Sequence, residues 1–322
     1  MSIESSIATF VRSKPLLTAW LVFATYSSGA ACMVQFLVLP ILMPGLHAGH
    51  GLLAGNDSVG YHAIAAGMAD AIRQSGWSAW SLAPQGHAAA GLAAPIYYLL
   101  GSSPPSLIPL NAAVHATTGI IVMQLTRSIG VPMKIAFASA TIWIVFPSSL
   151  QWVAQIGKDG YFFVGMLGAL LGWTMLIGTI RDRPNFPPVP FIGGLLIAGI
   201  ACAGIARQYA FQMLLPIAIT ASGLIIPLAI RKAKLGSMPI DKAIATVGLL
   251  LLIPFTLVIA PRDWYDRMKS PPVSLSEPAT AELNKTDIAV RRPWRSNTAI
   301  PAFIDSGFDR LANGRYGYLS ET

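Results

Sequence analysis

Long, uninterrupted apolar runs constrain the fold of this chain more than any other feature of its sequence. An α-helix needs about 20 predominantly apolar residues to cross the hydrocarbon core of a bilayer. The runs close to or above this length lie at residues 17–43, 107–126, 135–151, 160–180, 189–206, 208–230 and 243–261. Their apolar residues are continuous, whereas the strands of a transmembrane β-barrel alternate. The sequence therefore predicts an all-α polytopic membrane protein with about seven transmembrane helices.

The short apolar segment 88–101, closed by Pro104-Pro105, decides the predicted orientation. If it crossed the bilayer, the basic residues that follow the later spans would lie on the outer face, against the positive-inside rule. If it is re-entrant or only dips into the interface, the basic clusters at Arg127, Arg181 and Arg231 become cytoplasmic. We therefore predict a multi-pass protein of the inner (cytoplasmic) membrane whose N-terminus is cytoplasmic.

This topology divides the chain into a transmembrane bundle, residues 1–261, and a C-terminal tail, residues 262–322. The bundle includes an outer loop at 44–106. The tail mixes acidic and basic residues with a Pro/Ser-rich stretch and scattered aromatic residues, so we expect it to be only partly ordered. The predicted topology places the tail on the periplasmic or extracellular side.

The net charge of +8 does not by itself indicate a nucleic-acid partner. The 22 lysines and arginines lie mostly in short clusters at the ends of the apolar runs. Such clusters are the usual determinants of membrane topology. We therefore expect membrane lipid, and no nucleic acid, among the partners.

One polar segment in the outer loop contains a candidate carboxylate. Asp57 directly precedes an amphipathic helix predicted over 58–75, whose Ile64 and Met68 recur at helical spacing. The carboxylate could cap the free N–H groups of that helix or accept a proton from an acceptor hydroxyl, and the two roles are compatible. Tyr61 and His62, one turn further on, could line the same cavity.

A second polar segment introduces charge at the outer ends of two predicted spans. Lys158 and Asp159 could be an interfacial anchor with a helix N-terminal acid, or a cation that binds phosphate and a carboxylate that orients it. Arg207 lies in a very short turn on the same predicted face, where it could be a boundary residue or a phosphate clamp. Any chemistry is therefore expected on the outer face.

Several common catalytic motifs are absent from the sequence. It contains no P-loop, no G-x-S-x-G elbow, no H-E-x-x-H and no C-x-x-C pair. The histidines are scattered and predict no metal site on their own.

The order of these features resembles the GT-C superfamily of integral-membrane glycosyltransferases, in particular its bacterial family-39-like members. The resemblance covers roughly residues 15–180. Its motifs are Asp-Ser-x-x-Tyr-His at 57–62, Pro-Ile-Tyr-Tyr-Leu-Leu-Gly at 95–101, the span from Leu110-Asn111-Ala112 to Arg127, and Phe-Pro-Ser-x-x-x-Trp at 146–152 followed by Lys158-Asp159.

The resemblance implies a GT-C-like fold and transfer of a sugar from a polyprenyl-phosphate carrier to a lipid, glycan or protein acceptor on the outer face. It makes Asp57 the catalytic carboxylate and assigns Lys158, Asp159 and Arg207 to the donor or its phosphate. It assigns no certain cofactor besides the lipid-linked sugar donor and leaves room for a divalent metal. Members of the superfamily usually continue with more spans or an outer domain, so a truncated or divergent member is expected.

A non-catalytic membrane subunit or a transporter of a surface-polysaccharide system remains the alternative, with another membrane protein as its partner. A transporter would be expected to have repeated halves and broken helices near the midplane. The sequence contains no internal repeat, and its polar segments lie at span ends. These observations disfavour transport more than they disfavour an accessory subunit.

Overall fold

The computed structural model describes residues 13–54, 57–181, 187–207 and 209–268, with the backbone alone over 258–268. The chain divides into two units, residues 1–275 and 276–322, and all described residues belong to the first. The predicted tail therefore lies almost entirely outside the described residues.

The described residues are helical, apart from turns and one isolated β-bridge between His47 and Leu53. The helices are α1 Pro15–Met33, α2 Ser58–Ser75, α3 Ala88–Leu100, α4 Ile108–Ser128, α5 Met133–Val145, α6 Pro147–Ala154, α7 Asp159–Ile180, α8 Val189–Ala206, α9 Tyr209–Lys234 and α10 Ile240–Met268. A wider π-helical segment, Val34–Leu42, continues α1 up to Met43. The final helix extends beyond residue 261, where the predicted bundle ends.

Six helical segments are long and apolar enough to cross a membrane, and a bent pair of helices brings the number to seven. This is a multi-pass membrane protein. The bent pair is α5 and α6, which meet at about 60° where the sequence predicts one span over 135–151. Pro147 begins α6 and cannot continue the hydrogen-bond ladder of α5. The Ser149 hydroxyl donates to the carbonyl groups of Trp143 and Phe146, both at 2.7 Å, and so satisfies the break.

The predicted amphipathic helix is present as α2, and its apolar face packs on α3. Met68 and Ile72 are 1% and 2% exposed and form a cluster with Ala94 of α3. The thirteen residues of α3 rise about 20 Å at 1.5 Å per residue, less than the roughly 30 Å of a bilayer core. The helix α3 is therefore too short to cross a bilayer core.

Close contact between α7 and α8 sets the position of the predicted site residues at their ends. A Cβ atom on Gly165 would lie 2.4 Å from the backbone nitrogen of Ala203, and one on Gly199 would lie 2.6 Å from that of Ala169. Only glycine permits this approach of two backbones. Because the two helices are antiparallel, the first turn of α7 meets the last turn of α8. We call this the Lys158 end of the bundle.

Helix direction places the basic clusters at the opposite end. Arg127 lies in the last turn of α4, Arg181 follows α7, and the last turn of α9 contains Arg231. These three helices all begin at the Lys158 end. The charge separation from which the orientation was predicted is therefore present along the helices.

Candidate functional site

A cavity of about 440 Å³ opens at the Lys158 end of the bundle. It lies between the 3₁₀ turn Pro84–Gly86 with the start of α3, the turn before α7, and the junction of α8 with α9. We call it the Lys158 cavity. Its polar lining side chains are Tyr61, His87, Lys158, Arg207, Tyr209 and Gln212.

Asp57 lies next to this cavity through Tyr61. It occupies the N-cap position of α2, but its side chain makes no capping hydrogen bond. Instead, its Oδ2 accepts a long hydrogen bond of 3.3 Å from the Tyr61 hydroxyl. The exposed carboxylate is thus held beside a phenol that lines the cavity, and of the two predicted roles it does not fill the capping one.

Lys158 supplies positive charge inside the cavity. Its Nζ lies 5.6 Å from the centre of the Tyr61 ring, a cation–π distance. Among the described residues it forms no ion pair. The ammonium group therefore remains available to an anion.

His87 brings a titratable ring between the two polar segments. It precedes α3, and its ring centre is 5.2 Å from that of Tyr61. Burial, followed by the positive charge of Lys158, lowers the pKa of His87, whereas Asp57 acts in the opposite direction. His87 therefore lies within electrostatic range of both Asp57 and Lys158.

Arg207 is fixed by contacts on both sides. One terminal nitrogen is paired with Asp159, and the other donates to the Tyr209 hydroxyl at 2.9 Å. Its guanidinium carbon also lies 5.5 Å from the Phe162 ring centre. Burial works against the charged form, but Asp159 and Tyr209 outweigh it and raise the pKa of Arg207. The residue is a permanent, oriented cation at the cavity wall.

Three buried amide side chains, Gln35, Asn111 and Gln155, lie behind the cavity, and we call them the amide cluster. Gln155 donates to the Gly51 carbonyl at 2.9 Å and accepts from the Leu53 amide at 3.0 Å. Asn111 donates to the carbonyl groups of Val153 and Gln155, and Gln35 donates to that of Ala154.

The amide cluster joins the loop that leads to Asp57 to the turn that leads to Lys158. Leu53 precedes Asp57 in the outer loop, and Gln155 precedes Lys158 in the turn between α6 and α7. The two hydrogen bonds of the Gln155 side chain therefore set the distance between the two polar segments.

His62 is placed away from the cavity, although it neighbours Tyr61 in sequence. Its Nδ1 is 2.9 Å from the Tyr97 hydroxyl, and its ring stacks on that of His50 at 6.2 Å. Burial, with a smaller contribution from His50, lowers the pKa of His62 to about 4. Its neutral ring belongs to the packing between α2 and α3.

The structure thus brings Asp57, Tyr61, Lys158, Asp159 and Arg207 together at one end of the bundle. His87, Tyr209 and Gln212 were not among the predicted site residues, yet they line the cavity. The one sequence feature that could have pointed to His87 is its position just before the short apolar segment 88–101. Asn56, beside Asp57, lies outside the described residues. No group of three or more potential metal ligands occurs among the residues that the structure describes.

No protein-family model, curated protein or solved structure matches the chain.

Proposed function

We propose that this protein is a glycosyltransferase that moves a sugar from a polyprenyl-phosphate carrier to a hydroxyl group of a lipid, glycan or protein acceptor. The observation that carries the proposal is the composition of the Lys158 cavity. At one end of a set of apolar membrane helices, two cations line the cavity, and the Asp57 carboxylate lies beside it, hydrogen-bonded to the cavity-lining hydroxyl of Tyr61. A lipid-linked phosphate ester needs this combination of an apolar path and a charged end.

The cations and a helix terminus would bind the phosphate. Lys158 and Arg207 line the same cavity as Ala88 and Ala89, the first residues of α3. The N-terminus of a helix carries partial positive charge and free N–H groups, and α3 has no side-chain cap. Arg207 is already oriented by Asp159 and Tyr209, so it needs little rearrangement to meet an anion.

The carboxylate would act on the acceptor. In the transfer step, the bond between the sugar's anomeric carbon and the phosphate oxygen breaks, and a bond from the acceptor oxygen to that carbon forms. The acceptor's proton moves to the Asp57 carboxylate, and polyprenyl phosphate leaves with its negative charge stabilised by Lys158 and Arg207. The Tyr61 hydroxyl would orient Asp57 through its hydrogen bond.

The proposal is tested with purified protein in lipid nanodiscs and a panel of radiolabelled polyprenyl-phosphate sugars. The wild-type chain should release polyprenyl phosphate in the presence of a suitable acceptor. Asp57→Asn should lower this rate by at least about 100-fold, because a proton acceptor is lost. Its binding of polyprenyl phosphate should be unchanged. Asp70→Asn is the matched control, because Asp70 lies on the same helix and is paired with Arg73.

Three outcomes would count against the proposal. Full activity in Asp57→Asn would show that the Asp57 carboxylate is not the proton acceptor of the transfer step. Tight binding of polyprenyl phosphate without turnover of any donor would favour the accessory-subunit alternative. If the protein does not bind polyprenyl phosphate, neither the proposed donor nor the proposed role of Lys158 is correct.

A further inference from the structure

A second polar pocket lies inside the bundle, between α4, α5, α6 and α7. It is a small cavity of about 10 Å³, measured as the volume open to the centre of a water molecule. The polar side chains around it include Asn111, His115, Thr118, Trp143 and Tyr161. This pocket is distinct from the Lys158 cavity, and the proposed sugar transfer does not use it.

Two buried nitrogen atoms at this pocket lack a partner. His115 Nε2 and Trp143 Nε1 are both inaccessible to solvent, and neither has a hydrogen-bond partner among the described protein atoms. His115 is only 4% exposed. An unpaired polar group in an apolar interior is costly, and the hydrocarbon core of a bilayer offers it no partner. Both nitrogens belong to residues that line the same small cavity.

The volume of the cavity matches one water molecule. A volume of roughly 10–15 Å³ by this measure holds one water, which needs two to four polar partners. The ring centres of His115 and Trp143 are 6.4 Å apart, so the two side chains are neighbours at this cavity. We propose that a single buried water molecule binds here and joins Trp143 Nε1 to His115 Nε2.

Donor and acceptor chemistry fixes the direction of these bonds. An indole N–H can only donate, so the water accepts from Trp143. The water then donates to His115 Nε2. Its second proton can go to the Tyr161 oxygen, because that hydroxyl donates its own proton to Asn111 Oδ1 at 3.3 Å. The water therefore has three partners on three helices.

This arrangement also assigns the histidine tautomer. If Nε2 accepts from the water, the proton of the neutral ring is on Nδ1. That nitrogen is 2.8 Å from the hydroxyl oxygen of Ser27, which is fully buried on α1. The His115 Nδ1–H group thus donates to Ser27. Through His115 and the water, α1 and α5 are linked to Tyr161 and, by its bond to Asn111, to the amide cluster.

Solid-state NMR on the full chain in lipid bilayers tests the water directly. With ¹⁵N-labelled histidine, the His115 signals are identified as those missing from His115→Phe. We expect a protonated Nδ1, an unprotonated Nε2, and magnetisation transfer from water to the Nε2 side of the ring. A protonated Nε2, or a His115 ring that receives no transfer from water in the wild-type chain, would overturn the proposal.

A pair of tryptophan variants gives a second test that does not need His115→Phe to fold. Trp143→Phe removes the N–H that donates to the water. Trp20→Phe is the matched control, because Trp20 Nε1 donates directly to the Thr117 hydroxyl at 3.0 Å. Both variants should lower the melting temperature by about 1–2 °C, because one such bond is worth about 1 kcal/mol and the entropy of unfolding grows with chain length.

The sign of the Trp143→Phe shift relative to the control separates the two possibilities. If the Trp143 N–H had no partner, its removal would relieve an unpaired buried donor. The melting temperature would then stay unchanged or rise while that of Trp20→Phe falls, and the water would be ruled out. A loss equal to that of the control, together with weaker transfer from water to His115, supports it.

Discussion

The Lys158 cavity and the amide cluster lie at the same end of the bundle but use their polar groups in opposite ways. The cavity is charged and half-exposed, and Lys158 is left without an ion pair among the described residues. The amide cluster is neutral and buried, and Asn111 and Gln155 direct their amide groups at backbone atoms. Charge that is not used within the fold is available to a ligand, whereas a satisfied amide fixes the fold. The four predictions below test this contrast in order of expected effect on stability.

The largest loss of stability is expected for Gln155→Ala. The change leaves the Gly51 carbonyl and the Leu53 amide without their partner, and each unpaired buried group costs about 1–3 kcal/mol. We expect the free energy of unfolding in mixed micelles to fall by about 2–4 kcal/mol. Gln151→Ala is the control, since Gln151 is exposed on α6 and should change stability by less than about 0.5 kcal/mol. Equal effects of the two variants would show that Gln155 does not join the two segments.

The next largest effect concerns His62 and the pH. Its pKa is lowered from 6.5 to about 4 in the folded chain, so the unfolded chain binds a proton at higher pH than the folded chain does. Its contribution is complete above pH 6.5 and is lost as the pH falls towards 4. We expect a loss on the order of 1–3 kcal/mol over this range, measured by equilibrium unfolding. His62→Gln should remove this part of the pH dependence.

The same measurement distinguishes packing from ligand binding at His62. If His62 only packs between α2 and α3, His62→Gln should change how stability depends on pH. The affinity of the Lys158 cavity for polyprenyl phosphate should stay the same in that variant. Loss of affinity in that variant would mean that the cavity extends to His62.

The sequence predicted the spans well because hydrophobic length is a local property. The helices α7 and α8 begin and end within one residue of the predicted runs, and α2 covers the predicted amphipathic segment. The break between α5 and α6 was harder to predict from the sequence. Pro147 is visible in the sequence, but the bend also depends on Ser149 satisfying the carbonyl groups that the break leaves free.

Of the candidate site, the sequence predicted the charged side chains and Tyr61. Charges such as those of Asp57, Lys158 and Arg207 are conspicuous in an apolar chain, and span direction brings them to one end. The role of Gln155 could not be predicted from the sequence, because its hydrogen-bond partners lie about a hundred residues earlier, in a loop whose position depends on tertiary packing. His62 follows Tyr61 in the sequence, but neighbouring residues of a helix point to different sides, so its ring contacts Tyr97 and does not line the cavity.

A smaller effect on stability is expected when the Arg207–Asp159 pair is broken. The two side chains are 27% and 34% exposed, so solvent screens much of their attraction. Arg207→Gln should lower the free energy of unfolding by about 1 kcal/mol. Asp70→Asn is the control, because it breaks the Arg73–Asp70 pair, which is 39% and 61% exposed and should contribute less, and it keeps the bond from Arg73 to the Tyr97 carbonyl. A larger loss in Asp70→Asn would contradict this ranking by burial.

Lys158→Ala should have the smallest effect on stability and a large one on binding. Among the described residues, the favourable contact of the side chain with the fold is that with the Tyr61 ring, which is worth about 0.5–1 kcal/mol at an exposed site. A phosphate bound in the cavity would lose a charge-assisted contact worth about 1.5–3 kcal/mol, so affinity for polyprenyl phosphate should fall by about 10-fold or more. Lys134→Ala, at the opposite end of the bundle, controls for net charge. If both variants bind polyprenyl phosphate as the wild-type chain does, the unpaired charge of Lys158 serves neither the fold nor this ligand, and the contrast between the cavity and the amide cluster fails at its central residue.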